Sequence, residues 1–242
     1  MCGRTNLTAT PEELAEAFAL DAAELPALAP RYNIAPTQPM PVVRMDARRR
    51  RRLTLLRWGL VPHDAPDPRV GARMINARSE TARTRAAFRL PFRERRCLVP
   101  ANGFYEWRRI EGLRQPYLLR RRDGRLIALA GLWDRWRAPA SSAEAHEPIE
   151  SCTILTTPAN ELVARLHDRM PLMLDRDDYE RWLDPDVKDP DALAPLLRPY
   201  PAEQMVAIPV SPRLNSPQVD DPTLIEPMDP GAVPVPRQRT LF

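Results

Sequence analysis

Apolar positions along this chain fall mostly in short runs, interrupted every few residues by proline, glycine or charge. Such runs read as strands, and helical spacing shows in only a few places. The first is Thr10-Pro11-Glu12-Glu13. Thr10 fits an N-cap, Pro11 the first helical residue and Glu13 the reciprocal partner of a capping box. Leu14, Ala17 and Phe18 follow at helical spacing, so one face of this helix meets a core. Pro26 and Pro30 mark a loop. The runs Met40–Met45 and Leu53–Trp58, with a turn around Asp46–Arg48, predict a β-hairpin. Arg48–Arg52 sits at its tip or returning arm, a solvated cluster that adds to a general attraction for nucleic acid.

Beyond the hairpin, His63–Ala72 reads as a proline-punctuated loop, and Met74–Thr81 enters a helix running to Phe88. Short strands are predicted at Arg96–Pro100, Gly103–Arg108, Tyr117–Arg120 and Leu126–Leu132, with Asp123-Gly124 as the hairpin turn joining the last two. Pro139–Pro148 reads as a mobile loop. After a strand at Cys152–Thr156, the pair Thr157-Pro158 predicts a helix start, with the helix continuing through Leu166. His167–Pro171 breaks it, and Leu172–Leu174 is extended. Helices at Asp177–Leu183 and Asp191–Leu197 precede a strand at Met205–Val210. Many short strands with few helices predict an α+β fold. We expect one domain over residues 1–228 and a disordered, proline-spaced tail over 229–242.

Composition changes this picture in two respects. The three cysteines (Cys2, Cys97, Cys152) are odd in number and form no CxxC pair, which suits a reduced, cytoplasmic protein and gives no metal signature. No apolar run is long enough to span a membrane, and no signal-peptide pattern opens the chain. Charge is divided unevenly. Residues 1–137 hold 27 arginines against 14 acids, and the remainder holds 9 basic against 18 acidic residues. Such asymmetry fits a half that faces a polyanion, since arginine forks match phosphate oxygens, although a solvated face gives the same pattern.

The candidate chemistry lies at the start of the chain. Once Met1 is removed, Cys2 carries a free α-amine beside its thiol. An α-amine has a pKa of roughly 7.7–8.0 against about 10.4 for lysine, so much of it is neutral near pH 7 and can condense with an aldehyde. The thiol can then close on the same carbon to give a thiazolidine. Lys188 is the sole lysine and sits in the acidic stretch Asp184–Asp191, so amine chemistry falls to the N-terminus.

Four segments together carry a resemblance: Met1-Cys2-Gly3-Arg4, Ile75-Asn76-Ala77-Arg78-Ser79-Glu80-Thr81, Gly103-Phe104-Tyr105-Glu106-Trp107 and Leu166-His167-Asp168-Arg169-Met170-Pro171. With Arg31-Tyr32-Asn33-Ile34-Ala35-Pro36 and Trp58-Gly59-Leu60 they resemble, in order, the SOS response-associated peptidase (SRAP) family. That resemblance implies a compact domain with a curved, mostly antiparallel, barrel-like sheet and a few flanking helices. It implies a protein of the DNA damage response that recognises abasic sites in single-stranded DNA and crosslinks to them through Cys2, by a Schiff base and then a thiazolidine. Lyase-like activity and self-catalysed loss of Met1 belong to the same expectation. By resemblance Glu106 is the general acid/base, His167 a second proton-transfer group, and Asn76 the residue that orients the sugar or the terminal amine. Arg4, Arg78 and Thr156 are the DNA-contacting residues. No cofactor, metal or membrane partner is implied, and a monomer is expected.

The stretch Val61–Pro66 departs from the family, whose members often carry a tryptophan there. Less base stacking is expected, at about 1–3 kcal/mol per base. Two rival readings remain. In one, Cys2 is the nucleophile of a thiol peptidase, with His167 as base and Glu106 or Asn76 orienting it. In the other, the charge asymmetry alone makes a non-catalytic single-strand-binding protein.

Overall fold

Thirteen strands and four α-helices make up the part of the chain that the computed structural model describes, residues 2–110, 112–138 and 147–229. The expected loop at Pro139–Pro148 falls largely outside these residues, and so does all but the first residue of the expected tail.

In chain order the elements are β1 (Thr5–Leu7), α1 (Pro11–Phe18), β2 (Arg31–Ile34), β3 (Pro39–Met45), β4 (Arg51–Trp58), β5 (Asn76–Arg78), α2 (Ser79–Ala82) and α3 (Ala86–Glu94). They continue with β6 (Arg96–Ala101), β7 (Gly103–Ile110), β8 (Leu113–Arg121), β9 (Ile127–Trp136), β10 (Ile149–Pro158), β11 (Arg169–Pro171), β12 (Met173–Leu174), α4 (Tyr179–Leu183) and β13 (Met205–Pro209). Two sheets result. One has the order β13-β8-β7-β1-β2. In the other, β10 pairs with β4, β4 with β3, β3 with β6, β6 with β9 and β9 again with β10, so five strands close into a barrel. Closure removes the free edges of an open sheet and encloses a core. All pairings are antiparallel except those of β10 with β4 and β5.

The local sequence signals explain much of this. Thr10 caps α1 by accepting from Glu13 N at 3.2 Å, and Glu13 Oε2 accepts from Thr10 N at 2.8 Å. Leu14 and Phe18 on its inner face are buried. The β3–β4 hairpin pairs Val42 with Thr54 and Val43 with Leu53, closed by a turn at Asp46–Arg50. Gly59, in the Trp-Gly-Leu block, has φ +128°, and a Cβ there would sit 2.5 Å from the Gly71 carbonyl oxygen, so no side chain fits.

Four expectations are corrected. The stretch His63–Ala72 is not all loop, since a 3-10 turn occupies Pro68–Arg73. Residues 76–78 form β5 and not a helix: Asn76, Ala77 and Arg78 pair in parallel with Ile154, Leu155 and Thr156 of β10. Helix follows only at Ser79, because a strand partner distant in sequence outweighs local propensity. Asp123-Gly124 turns the chain, with Gly124 at φ +74°, but β8 and β9 belong to different sheets and do not pair. A turn signal fixes a reversal, not a partner. Thr157-Pro158 does not start a helix either. β10 continues through Pro158, with Thr157 paired to Met170, and Asn160 Oδ1 accepts from Val163 N at 2.9 Å where the chain enters the following 3-10 turn.

Candidate functional site

β1 threads between β7 and β2, which fixes the N-terminus in the middle of a sheet. Thr5 pairs with Phe104, and Arg4 O accepts from Tyr105 N at 3.0 Å. Continued by two residues, that register sets Gly3 opposite Glu106. The β5 strand supplies a third support: Asn76 Nδ2 donates to the Cys2 carbonyl at 2.8 Å. Cys2, Asn76 and Glu106, three residues of the expected site, are therefore tied together by backbone pairing and one side-chain hydrogen bond.

Cys2 is fully buried, with its Sγ 4.0 Å from Arg4 O. Burial pushes its thiol well above the ordinary value, and the Glu106 charge adds to this. Glu106 is itself 3% exposed. Burial raises its carboxyl pKa, opposed in part by the positive charge His167 can carry. His167 follows the 3-10 turn Val163–Arg165. Its Nδ1 lies 2.9 Å from the Arg169 amide and 2.8 Å from Asp168 Oδ1. One nitrogen cannot accept from the first and donate to the second. The amide is fixed by the backbone, whereas Asp168 is 86% exposed and free to turn to water. We therefore assign Nδ1 as acceptor and place the proton of the neutral ring on Nε2.

Glu106 and His167 line one groove of about 760 Å³. Gly3, Arg4, Pro36, Trp107 and Asn215 form more of its wall, with Arg108, Arg109, Arg114 and Arg165. None of these last four has a carboxylate partner among the described residues. Arg109 lies directly opposite Arg114 in the β7–β8 ladder, a like-charge pairing that costs stability when nothing neutralises it. Arg114 also lies 5.5 Å from the Trp107 ring centroid. The pKa of Arg4 is lowered by burial and by nearby Arg114. A groove rich in guanidinium groups that no described carboxylate pairs suits a polyanion.

The other expected DNA-contacting residues differ in place. Arg78 is exposed at the end of β5, with no partner among the described residues. Thr156 has no exposed surface, its hydroxyl lying 3.5 Å from the Ala77 carbonyl and 3.4 Å from Arg169 Nη2. It holds β10 to β5 and does not face the groove. Arg169 is engaged by both oxygens of Glu80. The hairpin arginines prove less available than their number implied. Arg49 pairs with Asp186, Arg50 and Arg52 with Glu24 and Asp46, and Arg51 donates to Phe18 O. Among the described residues only Arg48 of the five has no partner for its side chain; the acids Glu24 and Asp186 lie too far away in sequence to be paired with the cluster in a one-dimensional reading. Among the described residues no His/Cys/Asp/Glu group is arranged to hold a metal, and no helix is long and apolar enough to cross a membrane.

Residues 1–217 match the family model described as SOS response associated peptidase (SRAP). The chain belongs to the SRAP family. Its relatives include abasic site processing protein YoqW of Bacillus subtilis (strain 168), 41% identical over 229 residues that cover 93% of this chain and 99% of that protein. Abasic site processing protein HMCES of Gallus gallus is 34% identical over 234 residues, covering 84% of this chain and 67% of that protein. A crystal structure of a Bacteroides thetaiotaomicron protein superposes with a TM-score of 0.81 at 25% identity, covering 94% of this chain and 100% of that one. Arg108, Arg109, Arg114 and Arg165 were not anticipated from sequence, although the first two directly follow the Gly103–Trp107 block.

Proposed function

We propose that this SRAP protein recognises abasic sites in single-stranded DNA and bonds covalently to them through Cys2, protecting the lesion in the DNA damage response. The observation that carries the reading is that Cys2, held by Asn76, lies buried behind Gly3 and Glu106, which line a groove whose arginines have no carboxylate partner among the described residues. The names of its relatives, abasic site processing proteins, favour the same substrate.

In this scheme loss of Met1 turns the Cys2 amide nitrogen into a free amine. The amine adds to the aldehyde carbon of the ring-opened deoxyribose, giving a carbinolamine. Glu106, whose carboxyl burial makes a weaker acid, donates to the departing hydroxyl, and water leaves as the Schiff base forms. The Cys2 thiol gives up its proton, its sulfur bonds to the same carbon, and the C=N π pair takes a proton to become the ring N–H of a thiazolidine. Glu106 and His167 relay these protons, which general acid–base catalysis typically rewards with about 10²–10⁴-fold in rate. Asn76 keeps Cys2 in register, and Arg4, Arg78 and the groove arginines hold phosphates without reading sequence.

The thiol-peptidase alternative fits less well. A peptidase cysteine needs a lowered pKa, usually from a paired histidine, whereas burial and Glu106 push Cys2 upward. A purely non-catalytic strand binder leaves the buried Glu106 without a use.

Intact mass spectrometry after incubation with an abasic oligonucleotide tests the proposal, with undamaged DNA as control. The expected species is the protein without Met1 plus the oligonucleotide minus one water. No adduct, or an equal adduct on undamaged DNA, contradicts it.

A further inference from the structure

The block Arg31–Pro36 adds only Pro36 to the groove wall. Its polar groups serve the C-terminal stretch Leu214–Asp220 instead. Asn33 is fully buried, and its Nδ2 donates to Val219 O at 2.8 Å and Ser216 O at 3.0 Å. Asp220 Oδ1 accepts from Tyr32 N at 2.5 Å and Asn33 N at 3.0 Å, while Oδ2 takes the Arg31 guanidinium. Val219 and Asp220 lie past residue 217, where the family match ends.

This tie reaches the groove through Arg4. Arg4 Nη1 donates to Asn33 Oδ1 at 2.8 Å and to Leu214 O at 2.9 Å. Both acceptors are neutral, so they fix the guanidinium without cancelling its charge, as a carboxylate would. They also use the two hydrogens of Nη1, leaving the Nε and Nη2 edge without a partner among the described residues. That edge is the side-on fork that grips a phosphate bidentately.

We infer that Asn33, clamped by the 214–220 segment, is a positioning residue that presents the Nε/Nη2 fork of Arg4 to a DNA phosphate. The inference rests on the DNA-binding reading given above. A long side chain frozen only on binding costs about 0.5–1.5 kcal/mol, so freeing Arg4 should weaken binding roughly 2- to 10-fold.

A double-mutant cycle separates positioning from general support. Binding of undamaged single-stranded DNA is measured for wild type, Arg4→Ala, Asn33→Ala and the double variant, with melting temperature recorded for each. Asn33→Ala should weaken binding roughly 2- to 10-fold in the wild-type background and leave it nearly unchanged in the Arg4→Ala background, although it lowers the melting temperature in both. Equal losses in the two backgrounds, or no loss in either, overturn the positioning role while leaving the DNA reading intact. If Arg4→Ala itself binds like wild type, both fall. Should Asn33→Ala not fold, Asp220→Asn keeps the shape but loosens the clamp, and the same dependence on background is required of it.

Discussion

The Asn76 side-chain amide donates to the Cys2 carbonyl at 2.8 Å, joining a β-strand of the barrel system to the second residue of the chain. This hydrogen bond helps set where Cys2, the proposed nucleophile, sits relative to Glu106. It also explains why Asn76 belongs on a strand: in β5 its neighbours Ala77 and Arg78 are locked to β10, and the amide is held at a constant height.

Asn76→Ala should therefore slow adduct formation far more than it weakens DNA binding. One lost hydrogen bond costs only about 0.5–1.5 kcal/mol of stability, whereas a 1 Å misplacement of reacting groups can cost about 10²-fold in rate. Single-turnover crosslinking should fall at least tenfold, to judge from that sensitivity. Undamaged-strand affinity, measured alongside, should stay near wild type. Equal falls in both would make Asn76 a fold residue only.

Glu106 should leave a pH signature on stability. Its folded pKa is raised above the ordinary 4.5 by burial, so folding takes up a proton there. That contribution is full below pH 4.5 and is lost as pH rises through the folded value, because the buried carboxyl must then ionise. Glu106→Gln cannot ionise. Relative to wild type it should gain stability as pH rises from acid toward neutral, in denaturant melts at each pH, while its crosslinking rate falls by about 10²-fold or more. A stability difference that is flat with pH, or of opposite slope, contradicts a raised pKa.

The arginines divide into two sets with different expected effects. Arg108→Gln, Arg109→Gln or Arg165→Gln should each lower the slope of log affinity against log salt by about 0.7 on single-stranded DNA where a phosphate contact is lost. Arg50→Gln and Arg52→Gln should leave the slope unchanged, since Glu24 and Asp46 already neutralise those side chains. Titration of binding from low to moderate salt checks both halves. A larger effect from the hairpin pair would show that DNA runs over the hairpin and not the groove.

The contrast shows what sequence could and could not carry. The Thr10–Glu13 capping box and the β3–β4 hairpin were legible because their partners lie within a few residues or across one turn. β5 and the barrel closure were not, since Asn76 and Trp58 find β10 partners more than 70 residues away. Asp123-Gly124 gave a correct turn and a wrong pairing for the same reason. At the site, the family blocks located Cys2, Asn76, Glu106 and His167, and the fold then brings Cys2, Asn76 and Glu106 together, with His167 on the groove that Glu106 lines. The charge asymmetry of residues 1–137 did not single out the groove arginines, because sequence counts arginines without showing which ones an acid neutralises. The burial of Thr156 was likewise hidden, since its β10 strand faces a partner that the chain had not yet revealed.

In the proposed chemistry the α-amine of Cys2 reacts first and its thiol closes the ring. Intact mass spectrometry on two variants incubated with abasic single-stranded DNA tests it most directly. One variant carries an additional residue between Met1 and Cys2 that resists removal, which keeps the thiol but leaves the Cys2 nitrogen an amide. The other is Cys2→Ala, which keeps the terminal amine and loses the thiol. The extended protein should form no stable adduct, and Cys2→Ala should form a Schiff base seen only after borohydride trapping. A stable adduct on the extended protein with its additional residue still attached would rule out an amine-first reaction.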